Sequence, residues 1–578
     1  MFSFLCFHSL SAVLSISFQF LLVSGLPVDS GLRIPNDVET LTNGKGFELP
    51  ILRRRQRRNQ PRSLRRRSGD VSGSIGLGDT SDLLYTVPIE LGNITTAVHL
   101  DTGSSDLWVV TDACTSMACQ LATATHYPNA QLNRTGARVK MHYGDSTTGT
   151  FAAGPIAKDT ATIAGIAMTD QFFGAVNDTS NPVVKYGAAG IFGLGFPSGS
   201  SIQNAAVDHI FNKPDSSDEL IHSIPTTGPL LSRIAMTDKL LDPMFSITLQ
   251  RNTIDIGGNG LLTVGKLPDG IDNSSLTWVP VRRYSENDGG TAAPLFAPDE
   301  IYPFRWEIEI DGVFLDGQRL SDSSVPASGG IKNNKVTALI DTGNSLIRGP
   351  SDVVKSILDE VSPGFAASSD PEAKAFLPCS VPRTLAFQIG GKMFPVDPRD
   401  FIGQETVGDI DNCIADNLVP TDPPSKGALF SWSLGDPFMK SNLVAFHYGN
   451  LTHPSVDPPR IGFLSMVPSN ITAVFNEAVQ DARSNGNNFE STYHPAPTAS
   501  AAEEDQITLS ATAPFIATAP VVATTTLNVQ QAVPTAVTQT QAGQPGKEDR
   551  KSGALAVRTR TQYLSGFLVS LVAAWAIV

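Results

Sequence analysis

Two stretches that share the triplet Asp-Thr-Gly decide the fold: VHLDTGSSDLWVV at residues 98–110 and ALIDTGNSLIRGP at residues 338–350. Each triplet follows an apolar run, and each is later followed by a similar segment, GIFGLG around Gly193 and SLGDPF around Gly435. One Asp-Thr-Gly alone is an ordinary turn. Two copies in matching surroundings indicate that the chain repeats a whole lobe, with one aspartate in each copy.

Short apolar runs dominate the chain between about residues 84 and 465. They are rich in Val, Ile, Leu, Phe and Thr and end at Gly, Pro, Asn or Asp, a pattern that predicts β-strands. A chain of 578 residues is too long for one small core, so we expect at least two lobes and appended segments. Three polar additions, at 199–220, 282–300 and 321–335, are predicted to be surface loops.

Asp101 and Asp341 would come together if the two turns meet across an interface between lobes. Two carboxylates about 3 Å apart cannot both ionise, so such a pair shares one proton and titrates as a unit. One member then activates a water molecule while the other protonates a carbonyl oxygen, which suffices to hydrolyse an amide without a metal or cofactor. His99, two residues before Asp101, is expected to face away from the pair.

Eight stretches, in one fixed order, carry a resemblance to a known family. They are LYTVPIELGN, DTGSSDLWVV, CTSMAC, HYGDST, GIFGLGFP, RWEIEIDGVFLDG, ALIDTGNSLIRGP and LGDPFMKSNLVAFHYGN. From about Asp82 to Val467 the chain therefore resembles the pepsin-like aspartic proteases. The resemblance implies a mostly β, two-lobed fold with the active-site cleft between the lobes. It also implies an aspartic-type endopeptidase that acts on proteins or peptides and needs no cofactor and no metal.

The resemblance assigns roles to the two loops, with Asp101 and Asp341 as the catalytic pair. Six neighbours would support the pair: Thr102, Gly103, Ser104, Thr342, Gly343 and Asn344. The threonines would connect the two loops by hydrogen bonds, and the glycines would let backbone amides approach the carboxylates. Asn344 stands where relatives usually carry Ser or Thr, and its amide can donate to the carboxylate or aim elsewhere. We expect Asn344 to tune the pair's protonation and pH profile without abolishing catalysis.

The stretch HYGDST resembles the tip of a flap, a β-hairpin that closes over the substrate. Tyr143 would be the aromatic tip, Gly144 would let the hairpin bend, and Trp108 would support Tyr143. Asp145 follows where many relatives carry Thr or Ser. An acid so close to the cleft predicts, as a hypothesis, a preference for basic substrate residues, and a carboxylate that merely points into solvent is the alternative.

Other hydrolase chemistries find no support in the sequence, which contains no G-x-S-x-G elbow, no H-E-x-x-H and no phosphate-binding Gly-Lys-Ser/Thr loop. The alternative function is of a different class, a catalytically silent pepsin-fold glycoprotein that binds partners at the cell surface. Loss of either aspartate would favour that alternative, and both are present.

The N-terminal segment has the features of a targeting sequence. Residues 1–25 are apolar, lack acids and end in Val23-Ser24-Gly25, which predicts a cleaved signal peptide; a retained anchor is the alternative. The run RRRQRRNQPRSLRRR follows. It predicts a basic pro-segment over 26–67 that a processing protease removes after Arg67, and its positive charge would lie against the acidic body.

The chain after the peptidase body is of different composition. The body is predicted over 68–475, with an N-lobe at about 80–245 and a C-lobe at about 246–470. Residues 476–551 are rich in Ala, Thr, Ser and Pro and predict a disordered stalk. Residues 552–578 predict a GPI-attachment signal with Ser552 and Gly553 at the attachment site and hence a lipid anchor in the membrane; a tail-anchored helix is the alternative. Basic pro-segment, stalk and tail resemble the fungal GPI-anchored, yapsin-like branch.

Cysteines and sequons indicate secretion. Once Cys6 leaves with the signal peptide, pairing of near neighbours predicts the disulfides Cys114–Cys119 and Cys379–Cys413. A zinc site is the rival interpretation, but neither a Cys-x-x-Cys motif nor clustered histidines support it. Six sequons predict N-glycosylation, at Asn93, Asn133, Asn177, Asn273, Asn450 and Asn470.

The formal net charge of −14 conceals a strongly acidic body. Without residues 1–67 and 555–578, the remaining 29 basic and 52 acidic residues give a net charge of −23. Such a body repels nucleic acid and suits an acidic, secreted setting, although acids also serve simple solubility. We expect a monomer at the cell surface or cell wall, with shedding into the medium left open.

Overall fold

The computed structural model describes residues 69, 71–80, 84–214, 216–249, 260–331, 335–406, 408–489 and 507–510. The predicted signal peptide, the pro-segment with Arg67, most of the stalk, and the tail with Ser552 and Gly553 lie outside these residues. The described chain is mostly β and is organised around two large mixed sheets, which confirms the predicted fold class.

The first large sheet is built from the N-terminal half of the peptidase body. Its main path runs, in spatial order, through Gly78–Thr80, Leu84–Leu91, Ile94–Asp101, Gly190–Gly193, Leu107–Val110, Ile166–Val176, Thr150–Ile163 and Asn133–Tyr143. Two further strands flank this path, Asp178–Thr179 beside Thr150–Ile163 and Ile507–Leu509 beside Ile166–Val176. In Asn133–Tyr143 every second side chain from Ala137 to Met141 is buried, which is the period of a strand with one face on the core.

The second large sheet carries the C-terminal half and also receives a strand from the start of the body. Its order is Gly73–Gly76, Leu261–Val264, Met244–Thr248, Asn442–His447, Arg460–Ser465, Thr277–Tyr284, Tyr302–Glu309, Thr337–Ile340, Trp432–Leu434, Ile347–Gly349 and Leu418–Pro420. The strand Asn442–His447 is buried on both faces, and its sequence is accordingly almost continuously apolar.

Smaller elements complete the body. One small sheet contains Gln318–Arg319, Gly312–Leu315, Leu385–Ile389 and Lys392–Pro395, and the other contains Phe376–Leu377, Cys413–Ile414 and Gly403–Gln404. The α-helices are Met117–Gln120, Ser201–Phe211, Ser217–His222, Ile224–Thr227, Leu230–Ala235, Ser351–Val361, Pro363–Ala366, Pro398–Phe401, Asp436–Lys440 and Ile471–Ser484. Within the described ranges, no helix is both long and apolar enough to span a bilayer.

An aromatic cluster joins the two halves close to the predicted site. Trp306 and Tyr448 both donate hydrogen bonds to the carbonyl of Leu194, at 2.9 and 2.7 Å. The ring of Phe196 lies 4.2 Å from that of Trp306, centroid to centroid. Burial of each such ring contributes about 2 kcal/mol, so the segment after Gly193 is held firmly against the second sheet.

The prediction of a surface loop over 199–220 is wrong. Residues Ser201–Phe211 and Ser217–His222 are helical, and the first helix buries Ile202, Ala206 and Val207. These three apolar residues recur at the spacing of one helix face, although the surrounding Ser, Asn and Asp residues obscure the pattern.

The folded body also extends past residue 475, where the stalk was predicted to begin. The helix Ile471–Ser484 packs Phe475, Ala478, Val479 and Ala482 into the core. Farther on, Ile507–Leu509 pairs in parallel with Ile166–Met168 of the first sheet. A composition rich in Ala, Ser and Asn therefore hides a short amphipathic helix and a strand in this region.

Candidate active site

The two Asp-Thr-Gly loops leave strands that have the same surroundings. Ile94–Asp101 pairs in parallel with Gly190–Gly193, and Thr337–Ile340 pairs in parallel with Trp432–Leu434. The partner strands are the follow-on segments of the sequence repeat, GIFGLG and SLGDPF. The repeat therefore encodes one local structure twice: a strand that ends in an aspartate and a neighbouring strand that supports its end.

Thr102 and Thr342 interlock the two loops. The backbone amide of Thr102 donates to Oγ1 of Thr342 at 3.1 Å, and the amide of Thr342 donates to Oγ1 of Thr102 at 3.0 Å. Each hydroxyl then donates to the carbonyl of the residue that precedes the other loop's aspartate, Ile340 or Leu100, at 2.8 Å. Both threonines are buried, so this network fixes the separation of the loops.

Gly103 and Gly343 each lie against the aspartate of the opposite loop. A Cβ atom on Gly103 would fall 2.3 Å from Oδ1 of Asp341, and one on Gly343 would fall 2.3 Å from Oδ1 of Asp101. The carboxyl groups therefore lie side by side between two backbone turns, and any larger residue at either glycine would displace a carboxylate.

The hydrogen bonds to the two carboxylates differ. Oδ1 of Asp101 accepts from the amides of Gly103 at 2.8 Å and Ser104 at 3.1 Å, and its Oδ2 accepts from the Ser104 hydroxyl at 2.5 Å. Asp341 accepts from the amide of Gly343 at 2.9 Å, and no comparable side-chain hydroxyl donates to it among the described residues. The negative charge is thus better stabilised on Asp101.

Asn344, the counterpart of Ser104, directs its side chain away from the pair. Its amide nitrogen donates to the hydroxyl of Ser433 at 2.9 Å, while its carbonyl oxygen accepts from the Leu346 amide and from Nε of Arg348. The sequence allowed the Asn344 amide either to donate to the carboxylate or to point elsewhere, and in the structure it points elsewhere.

Burial and the neighbouring charge of Asp101 raise the pKa of Asp341 to about 7, although the Gly343 amide and the Arg305 guanidinium act in the opposite direction. A carboxyl with this pKa holds a proton through the acidic range. The pair is therefore arranged as one acid and one base, the arrangement that amide hydrolysis requires.

The predicted flap is the hairpin formed by Asn133–Tyr143 and Thr150–Ile163. At its end, Nε1 of Trp108 donates a hydrogen bond of 2.8 Å to the Tyr143 hydroxyl. Gly144 follows with φ of +84°, a conformation that few other residues adopt. Burial, together with the charges of Asp106 and Asp101, raises the pKa of Tyr143 well above its usual value, so its phenol stays neutral.

The tip of the flap is bonded to the C-terminal half. Asp145 forms an ion pair of 2.7 Å with Arg348, and Ser146 donates two hydrogen bonds to Asp422. Partial burial raises the pKa of Asp145, but hydrogen bonds from Thr147 and Thr148 outweigh burial and lower it overall. The charge of Asp145 is therefore paired with Arg348 and does not simply point into solvent.

Sequence reasoning misjudged His99. The expectation that it faces away is wrong, because residues two apart on a strand share a face, and the buried His99 lies within electrostatic range of Asp101. Burial lowers the pKa of His99, and the charge of Asp101 only partly offsets that effect.

Asp106 was missed as a supporting residue. It is buried, accepts hydrogen bonds from the Ser200 hydroxyl at 2.5 Å and the Ser201 amide at 2.9 Å, and so fixes the start of the helix Ser201–Phe211. Burial raises its pKa to about 6. The signal that could have revealed it is an acid just after the first triplet, followed far along the chain by a helix start.

The family of the chain follows from a comparison with known proteins. The model of the family described as eukaryotic aspartyl protease matches residues 84–453, a span that contains both Asp-Thr-Gly loops and the flap. The chain belongs to the eukaryotic aspartyl protease family. As an aspartyl protease of the pepsin type, it is an aspartic-type endopeptidase.

Similar proteins occur in fungi and animals. The aspartyl protease is 26% identical to an aspartic protease of Phaffia rhodozyma, over 71% of this chain and 84% of the relative. It is 25% identical to major aspartyl peptidase 1 of Cryptococcus neoformans, over 72% and 73%, and 29% identical to cathepsin E-A of Xenopus laevis, over 69% and 84%.

The cysteines of this protease are paired as predicted. Cys114 is bonded to Cys119 and Cys379 to Cys413, which confirms both disulfides and is typical of proteins that mature in the secretory pathway. The asparagines of the six sequons are all exposed or partly exposed, at positions 93, 133, 177, 273, 450 and 470.

Proposed function

We propose that this endopeptidase cleaves peptide bonds at acidic pH by means of a water molecule activated between Asp101 and Asp341. The observation that carries the proposal is the crossed arrangement of the loops, in which the Thr102–Thr342 interlock sets each glycine against the opposite carboxylate. No other pair of acids among the described residues is held in this way by two equivalent loops.

In the proposed mechanism each carboxyl group has its own role, which the hydrogen bonds around it support. Asp101, which accepts three hydrogen bonds from its own loop, acts as the base. It takes a proton from the water molecule while the oxygen of that water bonds to the carbonyl carbon of the substrate. Asp341, which holds the shared proton, gives it to the carbonyl oxygen. The tetrahedral diol then collapses: the C–N bond breaks, Asp101 protonates the leaving amine, and Asp341 takes a proton back from a hydroxyl group.

Mutation of both acids tests this assignment. Asp101→Asn and Asp341→Asn variants are assayed on a peptide library at acidic pH, with Asp411→Asn, an exposed acid far along the chain, as the matched control. The two site variants are expected to lose at least about a thousandfold in kcat/KM, and a statine-type transition-state mimic should block the parent enzyme. Activity that survives in both variants would point to another site.

The alternative, a silent surface-binding glycoprotein, predicts a different result. A correctly processed protein that is inactive on diverse peptides from about pH 3 to 7 would favour the surface-binding glycoprotein. An enzyme that uses a shared-proton pair must hydrolyse peptides somewhere in this pH range.

The ends of the chain support a second part of the proposal: a zymogen, cut after Arg67 by a processing protease and carried to the cell surface on a GPI anchor at Ser552 or Gly553, as in the yapsin-like branch. The basic run at 53–67 and the apolar end after a short spacer carry this part. Phosphatidylinositol-specific phospholipase C should release the full-length protein from cells, whereas a chain ending at residue 551 should enter the medium directly. Retention of the shortened chain on cells would contradict the anchor.

A further inference from the structure

Arg305 lies on the strand that pairs with the one leading into Asp341. The strand Tyr302–Glu309 pairs antiparallel with Thr337–Ile340, with Glu307 opposite Leu339 and Glu309 opposite Thr337. Continued by two residues, this register sets Arg305 opposite Asp341. Opposite residues of an antiparallel pair project from the same face, so the Arg305 side chain and the carboxyl group share one side of the sheet.

The guanidinium of Arg305 is held in place by aromatic rings. It lies 5.1 Å from the ring of Phe304 and 5.8 Å from that of Phe430, measured to the centroids. The charges of both Asp341 and Asp101 act on it, although neither is close enough for an ion pair. With both rings packed nearby, the side chain is restrained before any ligand arrives, which lowers the entropy lost on binding.

The donors of Arg305 are unused by the protein. Its Nε is buried without a hydrogen-bond partner, and across the described ranges the guanidinium makes neither a hydrogen bond nor an ion pair. By contrast, the buried Arg233 donates hydrogen bonds to Pro225, Gln171 and Thr169. Buried donors without partners are rare in folded proteins, so the unpaired Nε of Arg305 beside the proposed catalytic pair favours a ligand that supplies an acceptor to this guanidinium.

Arg348, the other cation close to the cleft, is already neutralised by Asp145. Arg305, by contrast, has no ion-pair partner among the described residues, and only the charges of the aspartate pair act on it from a distance. An arginine with free donors matches a carboxylate, which it can bind through two parallel hydrogen bonds.

We propose that Arg305 is a specificity-determining residue that binds a substrate carboxylate on the side of the cleft lined by Asp341. The carboxylate is the side chain of an Asp or Glu close to the scissile bond, or the C-terminus of a short peptide. The proposal rests on Asp101 and Asp341 as the catalytic pair and adds a preference for acidic substrates, opposite to the one that Asp145 suggested from the sequence.

The test uses the mature enzyme and one neutral peptide in which each position near the scissile bond is varied among Glu, Gln and Lys. A second arm compares the free C-terminal acid with its amide, so the two sources of a carboxylate are distinguished. At about pH 5.5, where Glu is ionised, the parent enzyme should prefer Glu over Gln at one position, or acid over amide, by about ten- to a hundredfold in kcat/KM.

Arg305→Gln should bring this ratio close to one, mainly through KM. Arg305→Lys should keep part of the ratio because lysine retains the positive charge, but not all of it because lysine cannot form the two parallel hydrogen bonds of a guanidinium. Arg319→Gln, an exposed arginine paired with Asp322, is the matched control and should keep the full ratio. Thermal unfolding and hydrolysis of the Gln peptide by each variant show whether the fold survives.

Three results would overturn the proposal: equal cleavage of Glu and Gln peptides by the parent enzyme, a preference for Lys, or an Arg305→Gln variant that keeps the parent ratio and changes only the pH profile. Failure of the catalytic pair itself is distinguishable, because it would show as activity on the neutral peptide that does not depend on Asp101 and Asp341.

Discussion

The two Asp-Thr-Gly loops are built alike, but their aspartates accept different sets of hydrogen bonds. Asp101 accepts three hydrogen bonds from Gly103 and Ser104, whereas Asp341 receives one backbone donor, and Asn344 turns towards Ser433. The backbone and the hydrogen bonds between the two threonines therefore make the site symmetric. The side chains of Ser104 and Asn344 make it asymmetric. In the proposed mechanism this difference favours the shared proton on Asp341, and it can be tested by exchanging equivalent residues.

The largest effect should come from the feature that the loops share. Gly103→Ala and Gly343→Ala would each place a methyl group about 2.3 Å from the opposite carboxylate, and displacement of a reacting group by about 1 Å costs about a hundredfold in rate. We expect both variants to lose at least that much in kcat. Steady-state kinetics would reveal it, with Gly364→Ala, whose added Cβ meets nothing within 4 Å, as the control.

A strong difference between the two glycine variants would contradict the symmetric account. If only one variant lost activity, the two loops would not approach each other's carboxylates equally in the working enzyme.

Removal of a side-chain donor should affect the two halves unequally. Ser104→Ala deletes the hydroxyl that donates to Asp101, and we expect kcat/KM to fall by about tenfold, since a hydrogen bond to a charged group contributes about 1.5–3 kcal/mol. Asn344→Ala deletes no bond to the pair and should change kcat/KM by less than about threefold. Equal losses in the two variants would show that Asn344 does contact the pair during turnover.

A conversion of the second loop to resemble the first should shift the pH profile. In Asn344→Thr the hydroxyl can donate to Asp341, which stabilises its ionised form and lowers its pKa from about 7. Because Asp341 must be protonated to act as the acid, activity is lost as pH rises through this pKa, and the alkaline limb should move to lower pH. An unchanged pH profile of kcat/KM would count against any tuning role for position 344.

The smallest effect on catalysis should come from a change at the flap tip. The flap belongs to the N-terminal half and is not part of the repeat of the two loops. Asp145→Asn removes a partly exposed ion pair with Arg348, which contributes about 1 kcal/mol or less. We expect KM for a Gln peptide to change by less than about fivefold. A loss of Lys-peptide cleavage that persists in the double variant Asp145→Asn/Arg348→Gln, from which both charges are removed, would restore the basic preference suggested by the sequence.

The sequence was most informative where the structure is local and repeated. Both triplets, their partner strands and the near-neighbour cysteines are short patterns, and the structure brings each together as expected. The helix Ser201–Phe211 was missed because polar residues surround its narrow apolar stripe, and Asp106, which fixes its start, lies far away in the chain. The Asp145–Arg348 ion pair and the place of Arg305 depend on tertiary register, which composition and spacing do not contain.

The pH dependence of kcat/KM on a peptide without ionisable side chains tests the shared-proton pair most directly, because it reports the protonation of the free enzyme. The account predicts a bell-shaped profile whose alkaline limb lies close to pH 7, the pKa of Asp341, with activity regained when samples return to pH 5. Undiminished activity above about pH 8 would show that no proton on Asp341 is needed, and it would contradict the account.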